Sequence, residues 1–124
     1  RQAQGLFQAA GQAGRALECQ IELAGVLLDR GDAQRAVAEI SDVLPSLRSG
    51  AAASMEEPLE AYWTCYLVLR AANDGRAVRV LEVAYQILQE RAGHILDQKL
   101  RRAFLENVPI HKSIDLEWSN LKTG

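Results

Sequence analysis

Glycine and proline are scarce, at nine and three of 124 residues. A chain this poor in both is neither collagen-like nor a low-complexity linker. Cysteine occurs only at Cys19 and Cys65, 46 residues apart, with no CxxC pair. That spacing excludes a disulfide framework and fits two packing thiols in a reducing, cytoplasmic setting. Charge of one sign is also missing: 14 Lys and Arg face 16 Asp and Glu, for a net charge of −2. No overall field therefore favours a polyanion, which argues against nucleic acid as the partner. Uncharged apolar runs long enough to cross a membrane, about 18 residues or more, are absent. Aromatic residues make up only 6% of the chain. The chain opens on RQAQGLFQAAGQAGR, with no initiator Met and no signal-peptide pattern, and reads as a segment of a longer protein.

Strong helix formers fill the composition. Ala (19) and Leu (17) account for 36 of the 124 residues, and apolar positions recur at helical rather than strand spacing. Stripes run through Leu17, Ile21, Ala24 and Leu28; Ala36, Val37, Ile40, Val43, Leu44 and Leu47; and Leu59, Tyr62, Trp63, Tyr66 and Leu69. Further stripes follow through Ala77, Leu81, Ala84, Tyr85 and Leu88; Leu96, Leu100, Ala103 and Phe104; and Ile110, Ile114, Trp118 and Leu121. Punctuation is expected at Gly11–Gly14, Gly31–Asp32, Pro45–Ala53, Asn73–Gly75, Gly93 and Asn107–Pro109. Ser54-x-x-Glu57 has the form of a capping box, Asp74 and Asp97 are placed as N-caps, and Pro109 suits a first helical turn. Residues 47–54 (LRSGAAAS) are the one expected flexible loop. The prediction is an all-α fold of about six helices, arranged as stacked antiparallel hairpins joined by short turns.

The chain also resembles itself. Aligned on a turn, Gly31–Ala36 corresponds to Ala72–Ala77, and Ala36, Ile40 and Val43 then fall on Ala77, Leu81 and Ala84. That is the A-x3-F-x2-A spacing of the second helix of a tetratricopeptide repeat, in which a small residue lets two helices approach and larger ones fill the groove. First-helix positions fall on Gln20, Leu23, Ala24 and Leu27, and again near Tyr62, Cys65, Tyr66 and Leu69; Gln20 and Tyr66 depart from the usual residue types. The chain therefore resembles the tetratricopeptide repeat family. The resemblance implies one helical repeat domain over 1–124, with 1–14 ending a preceding repeat, 15–48 and 54–92 forming two repeats, and 95–122 a C-terminal hairpin or cap. The stretch YWTCYLVLRAANDGRAVRVLEVAYQILQERA is similar to C-terminal repeats of large bacterial signalling proteins, of STAND ATPase, cyclase-linked and transcriptional-activator type. In those proteins the repeats serve as a sensor or scaffold while other domains carry the chemistry.

Catalytic signals are missing. HExxH, GxxxxGK[ST], GxGxxG and GxSxG do not occur, and His94 and His111 stand at no spacing that implies a dyad with Cys or a carboxylate. No cofactor, metal or enzymatic role is expected. By the resemblance, the first helix of each repeat lines an inner groove, through Glu18, Gly25 and Asp29 in one unit and Glu60, Trp63, Leu67 and Arg70 in the next. Trp63 is the anchor type that dominates interfaces, although packing against a neighbouring helix explains it equally well. Family members that hold a peptide carboxylate use Lys and Asn at positions that here carry Ile21, Gly25, Trp63 and Leu67. An apolar or mixed peptide is therefore the expected ligand.

Two other surfaces stand out. Lys99, Arg101 and Arg102, with Lys112 nearby, form a basic patch expected opposite the Leu96–Leu100–Phe104 stripe and facing water. Leu6, Phe7, Ala9 and Ala10 would be uncovered if earlier repeats were removed, which predicts self-association. The leading expectation is a scaffold domain of a larger bacterial signalling protein, binding a protein, a peptide or another domain of its own chain. Homo-oligomerisation and a nucleic-acid-associated role through the basic patch are the alternatives.

Overall fold

The computed structural model describes residues 2–48, 55 and 57–123, and side-chain surroundings within 12–48, 55 and 57–122. The described residues form six helices, with no strand among them. They are α1 (Gln2–Asp29), α2 (Ala33–Arg48), α3 (Pro58–Ala71), α4 (Arg76–Gly93), α5 (Gln98–Glu106) and α6 (Pro109–Thr123).

Two turns of the same construction make the hairpins. Gly31 sits at φ +84°, its N–H donating to the Leu28 carbonyl (2.9 Å) while that of Asp32 reaches Leu27 (2.9 Å). Asn73 sits at φ +54°, with its N–H on Arg70 (3.0 Å) and that of Asp74 on Leu69 (2.9 Å). Both are complete Schellman closures, and both need the left-handed backbone that Gly and Asn tolerate best. An acidic residue follows each time: Asp32 accepts the Arg35 N–H (3.3 Å) and Asp74 that of Arg76 (2.9 Å). The turns thus superpose Gly31 on Asn73, one position later than the sequence alignment places it. The second helix begins three residues after its left-handed Asn73, at Arg76, where the first begins two after Gly31, at Ala33.

α1 packs on α2, α3 on α4, and α3 lies against both members of the first pair. Ala36, Ile40 and Val43 of α2 and Leu81 and Ala84 of α4 are fully buried, and Ala77 nearly so. With Ile21, Ala24, Cys65, Val68 and Leu69 they form one core that excludes water from every side. Both departures from the repeat pattern have work to do. Gln20 Nε2 donates to Glu39 (3.1 Å) and Asp42 (2.8 Å), tying α1 to α2. Tyr66, 3% exposed, sends its hydroxyl to Glu117 of α6 (2.6 Å).

α6 rather than α5 completes the stack. It packs on both α3 and α4, burying Ile114 completely and stacking Trp118 on Tyr85 with ring centroids 5.5 Å apart. Pro109 opens it as predicted. α5 buries no residue at all. Asp97 caps it, accepting the N–H groups of Lys99 (2.8 Å) and Leu100 (3.1 Å).

Several expectations are corrected. The Gly11–Gly14 break does not exist: α1 runs unbroken from Gln2 to Asp29. Each interior glycine costs about 1 kcal/mol relative to Ala, which the rest of a 28-residue helix outweighs. Pro45 lies inside α2, where it faces solvent and forfeits only the bond to Ser41. Ser54 of the expected capping box is outside the described residues, as are Ser49–Ala53 of the expected loop, whereas Leu47 and Arg48 still belong to α2. Glu57 is the N-cap of α3 without a side-chain cap bond. Leu96 and Leu100 are 89% and 63% exposed, so the α5 stripe meets the core through Phe104 and not along its length, and in α6 Leu121 is exposed beyond the buried Ile114. Leu6, Phe7, Ala9 and Ala10 have side chains outside the described residues.

Candidate functional site

α1 and α3 lie side by side and run in the same direction. Glu57 N–H donates to Glu18 Oε2 (3.0 Å), a pairing of residues 39 apart. One helical span further on, Gly25 faces Thr64 at the same separation, and a Cβ on Gly25 would stand 3.2 Å from Thr64 Cγ2. The missing side chain lets the helices converge there. The Glu18 carboxylate also supplies what the N-terminus of α3 wants: a negative charge and an acceptor for an orphan N–H.

Between the Glu18–Glu57 bond and the Gly25–Thr64 contact the helices leave an open cleft of ≈ 300 Å³. Ile21, 1% exposed, and Ala61, 6% exposed, form its floor. Among the described residues, Glu18, Glu22, Glu57 and Glu60 stand on its walls against a single cation, Arg15. Cys19 opens onto the cleft and is exposed, which corrects its expected role as a packing thiol. No group of three or more His, Cys, Asp or Glu that could hold a metal ion exists among the described residues. Four carboxylates around a shallow apolar floor make a surface for cationic and apolar groups together.

The seven predicted groove residues part company. Glu18 and Glu60 line the cleft. Gly25 lies in the α1/α3 contact itself. Asp29 is exposed at the far end of α1. Trp63 and Leu67 are half-buried against the core, and Trp63 rests on Tyr66 with centroids 5.3 Å apart. Arg70 turns to α6, where its Nη1 holds Glu117 Oε2 at 3.0 Å and its guanidinium covers the Tyr66 ring. One helix face was read where there are two, divided between α1 and α6. Arg15, Cys19, Glu22, Glu57 and Thr64 were overlooked. Their signal was present, because 15, 18, 19 and 22 on α1 and 57, 60, 61 and 64 on α3 share one helical spacing.

The basic patch is also less uniform than its sequence. Lys99, Arg102 and Lys112 are exposed, but the Arg101 guanidinium is half-buried and donates to the Ile95 carbonyl (3.0 and 2.7 Å), closing the turn into α5. His111 Nδ1 lies 2.7 Å from the Phe104 carbonyl, which secures the α5–α6 corner.

Burial pushes the Cys65 thiol up to about 12, so at neutral pH it is protonated and inert. Burial likewise raises Tyr62 and Tyr66, where the Glu117 carboxylate adds to it. Asp74 alone moves the other way, held at about 2 by hydrogen bonds from Arg76. That pair joins the α3–α4 turn to α2, because Arg76 also donates to Ser41 Oγ (2.9 Å). Among the described residues, no helix is long and apolar enough to cross a membrane. Set against family models, curated proteins and solved structures, the chain finds no match.

Proposed function

We propose that this chain is a non-enzymatic, tetratricopeptide-like interaction domain of a larger bacterial signalling or regulatory protein, working in the cytoplasm. It binds a peptide or helix of mixed basic and apolar character along α1 and α3. The observation that carries this reading is the α1/α3 cleft, with its apolar floor and, among the described residues, four carboxylates against one arginine. A peptide alternating Lys with Leu matches both features, the ammonium groups meeting Glu22 and Glu60 and the leucines the Ile21–Ala61 floor. Charge of this kind speeds association and selects partners more than it adds raw affinity, so binding is salt-sensitive.

The test is fluorescence anisotropy with labelled Lys/Leu and Glu/Leu peptides of equal length. The reading predicts saturable binding of the first only, lost on the double change Glu22→Lys and Glu60→Lys, both exposed positions whose replacement leaves the core untouched. Equal binding of the two peptides, or no effect of the charge reversal, refutes it. The nucleic-acid alternative is weakened by Arg101, whose guanidinium is occupied by a backbone carbonyl.

A further inference from the structure

On the opposite side of α3 from the acidic cleft, a second pocket of ≈ 420 Å³ opens between α2 and α4. Leu44, Leu47, Val80 and Val83 supply apolar walls, and the first three are no more than 6% exposed. Arg48, Arg76 and Arg79 surround it, and no carboxylate lines it among the described residues.

The three guanidinium groups differ in what already holds them. Arg76 is fixed by Asp74 and Ser41. Arg79 pairs with Glu82, one turn along its own helix, in an exposed pair of the kind that holds weakly. Arg48 has no ionic or hydrogen-bond partner among the described residues. Among the described residues, three cations set against Asp74 and Glu82 leave one positive charge over, and it stands beside an apolar cavity. A dianion such as a phosphate monoester would bring one charge too many and no apolar body for the walls. A neutral lipid would leave Arg48 unanswered.

We infer that the α2/α4 pocket binds an amphipathic monocarboxylate, its apolar body between Leu44, Leu47, Val80 and Val83 and its carboxylate between Arg48 and Arg79. The volume lies within the usual range for small-molecule sites. At about 30 Å³ per water-sized group it accepts on the order of ten heavy atoms. Arg79 can turn from Glu82 to the ligand, and Arg76 stays in place as a fixed wall. The site is independent of the α1/α3 cleft, so either can fail without the other.

A free aliphatic acid and the carboxy-terminal apolar residue of a peptide share this chemistry. Isothermal titration of the whole chain separates them, with decanoate below its micelle concentration in one arm and acetyl-Gly-Gly-Leu, free or amidated at its end, in the other. Decyltrimethylammonium and 1-decanol carry the same tail as decanoate without its charge. The expected result is one-to-one binding of decanoate, weakened about tenfold or more by Arg48→Glu, as befits loss of a charge-assisted contact. Arg48→Lys should recover part of it, and Arg102→Glu on α5 should change nothing. Binding of the free tripeptide but not its amide, with the same response to Arg48→Glu, assigns the carboxylate to a peptide end and supports the site. Equal binding of decanoate and its uncharged or cationic counterparts, indifference to Arg48→Glu, or no saturable binding of either carboxylate overturns it. Arg48 is exposed, so its variants test binding without disturbing the fold, as a circular dichroism melt verifies.

Discussion

Removing the Tyr66 hydroxyl measures how α6 is held. In Tyr66→Phe the ring stays in the core and only the 2.6 Å bond to Glu117 is lost. Hydrogen bonds to charged groups contribute about 1.5–3 kcal/mol. The Glu117 side chain is 30% exposed, so water replaces part of the bond and about 1.5 kcal/mol is the expected loss. Arg70 shares the same carboxylate oxygen but its side chain is 53% exposed, and Arg70→Ala should cost less than about 1 kcal/mol. Ile114, buried completely on the same helix, should cost about 3 kcal/mol when cut to Ala. At about 4 °C per kcal/mol for a chain of this size, melts followed by circular dichroism should show drops of about 6 °C for Tyr66→Phe, under 4 °C for Arg70→Ala and about 12 °C for Ile114→Ala. In a Glu117→Gln background the cost of Tyr66→Phe should shrink by about half. Arg70→Ala should also leave peptide binding unchanged, since that guanidinium serves α6. If Arg70→Ala costs more than Tyr66→Phe, or Ile114→Ala costs under about 1 kcal/mol, α6 is not docked as described.

Three more outcomes follow from the same packing. Gly25→Leu forces a side chain into the α1/α3 contact and should cost about 1–3 kcal/mol in urea denaturation. Gly25→Ala should be near neutral, its helix preference of about 1 kcal/mol offsetting a small shift of Thr64. A thiol reagent should label one cysteine per chain at once, the exposed Cys19, and Cys65 only at the rate of unfolding; prompt labelling of both would contradict the core. Asp74 has its carboxyl lowered from 3.8 to about 2 by Arg76. A lowered native value favours folding above the unfolded one, so its contribution is complete above about pH 4 and disappears as pH falls towards 2. Melts across that range should therefore slope less steeply for Asp74→Asn than for the parent chain.

What could be read from the chain was what short-range chemistry decides. Gly31 and Asn73 announce left-handed turns, Asp97 caps the helix it precedes, and Pro109 opens one, each through bonds made within a few residues. Ala36, Ile40 and Val43 are buried where their spacing placed them, because a helix with one apolar stripe has one way to bury it. Decisions made by distant contacts were not legible. Whether Gly11 and Gly14 end a helix depends on the length that carries them. Leu96 and Leu100 have helical spacing but stay exposed, because α6 packs on both α3 and α4 while α5 meets chiefly α4 and α6. Arg70 looked free until Glu117 arrived from 47 residues away. The cleft was half visible. Glu18 and Glu60 follow from the repeat pattern; Glu22 and Glu57 share their helical spacing, but that the two faces meet rests on α1 and α3 running parallel with a 39-residue offset.

The most direct measurement is a map of amide shifts in the isotope-labelled chain as the Lys/Leu peptide is added. Shifts concentrated at Glu18, Cys19, Glu22, Glu60 and Thr64, saturating together, are the predicted result. Shifts confined to α5 and α6, or none at saturating peptide, would contradict the assignment of the α1/α3 cleft as the binding surface.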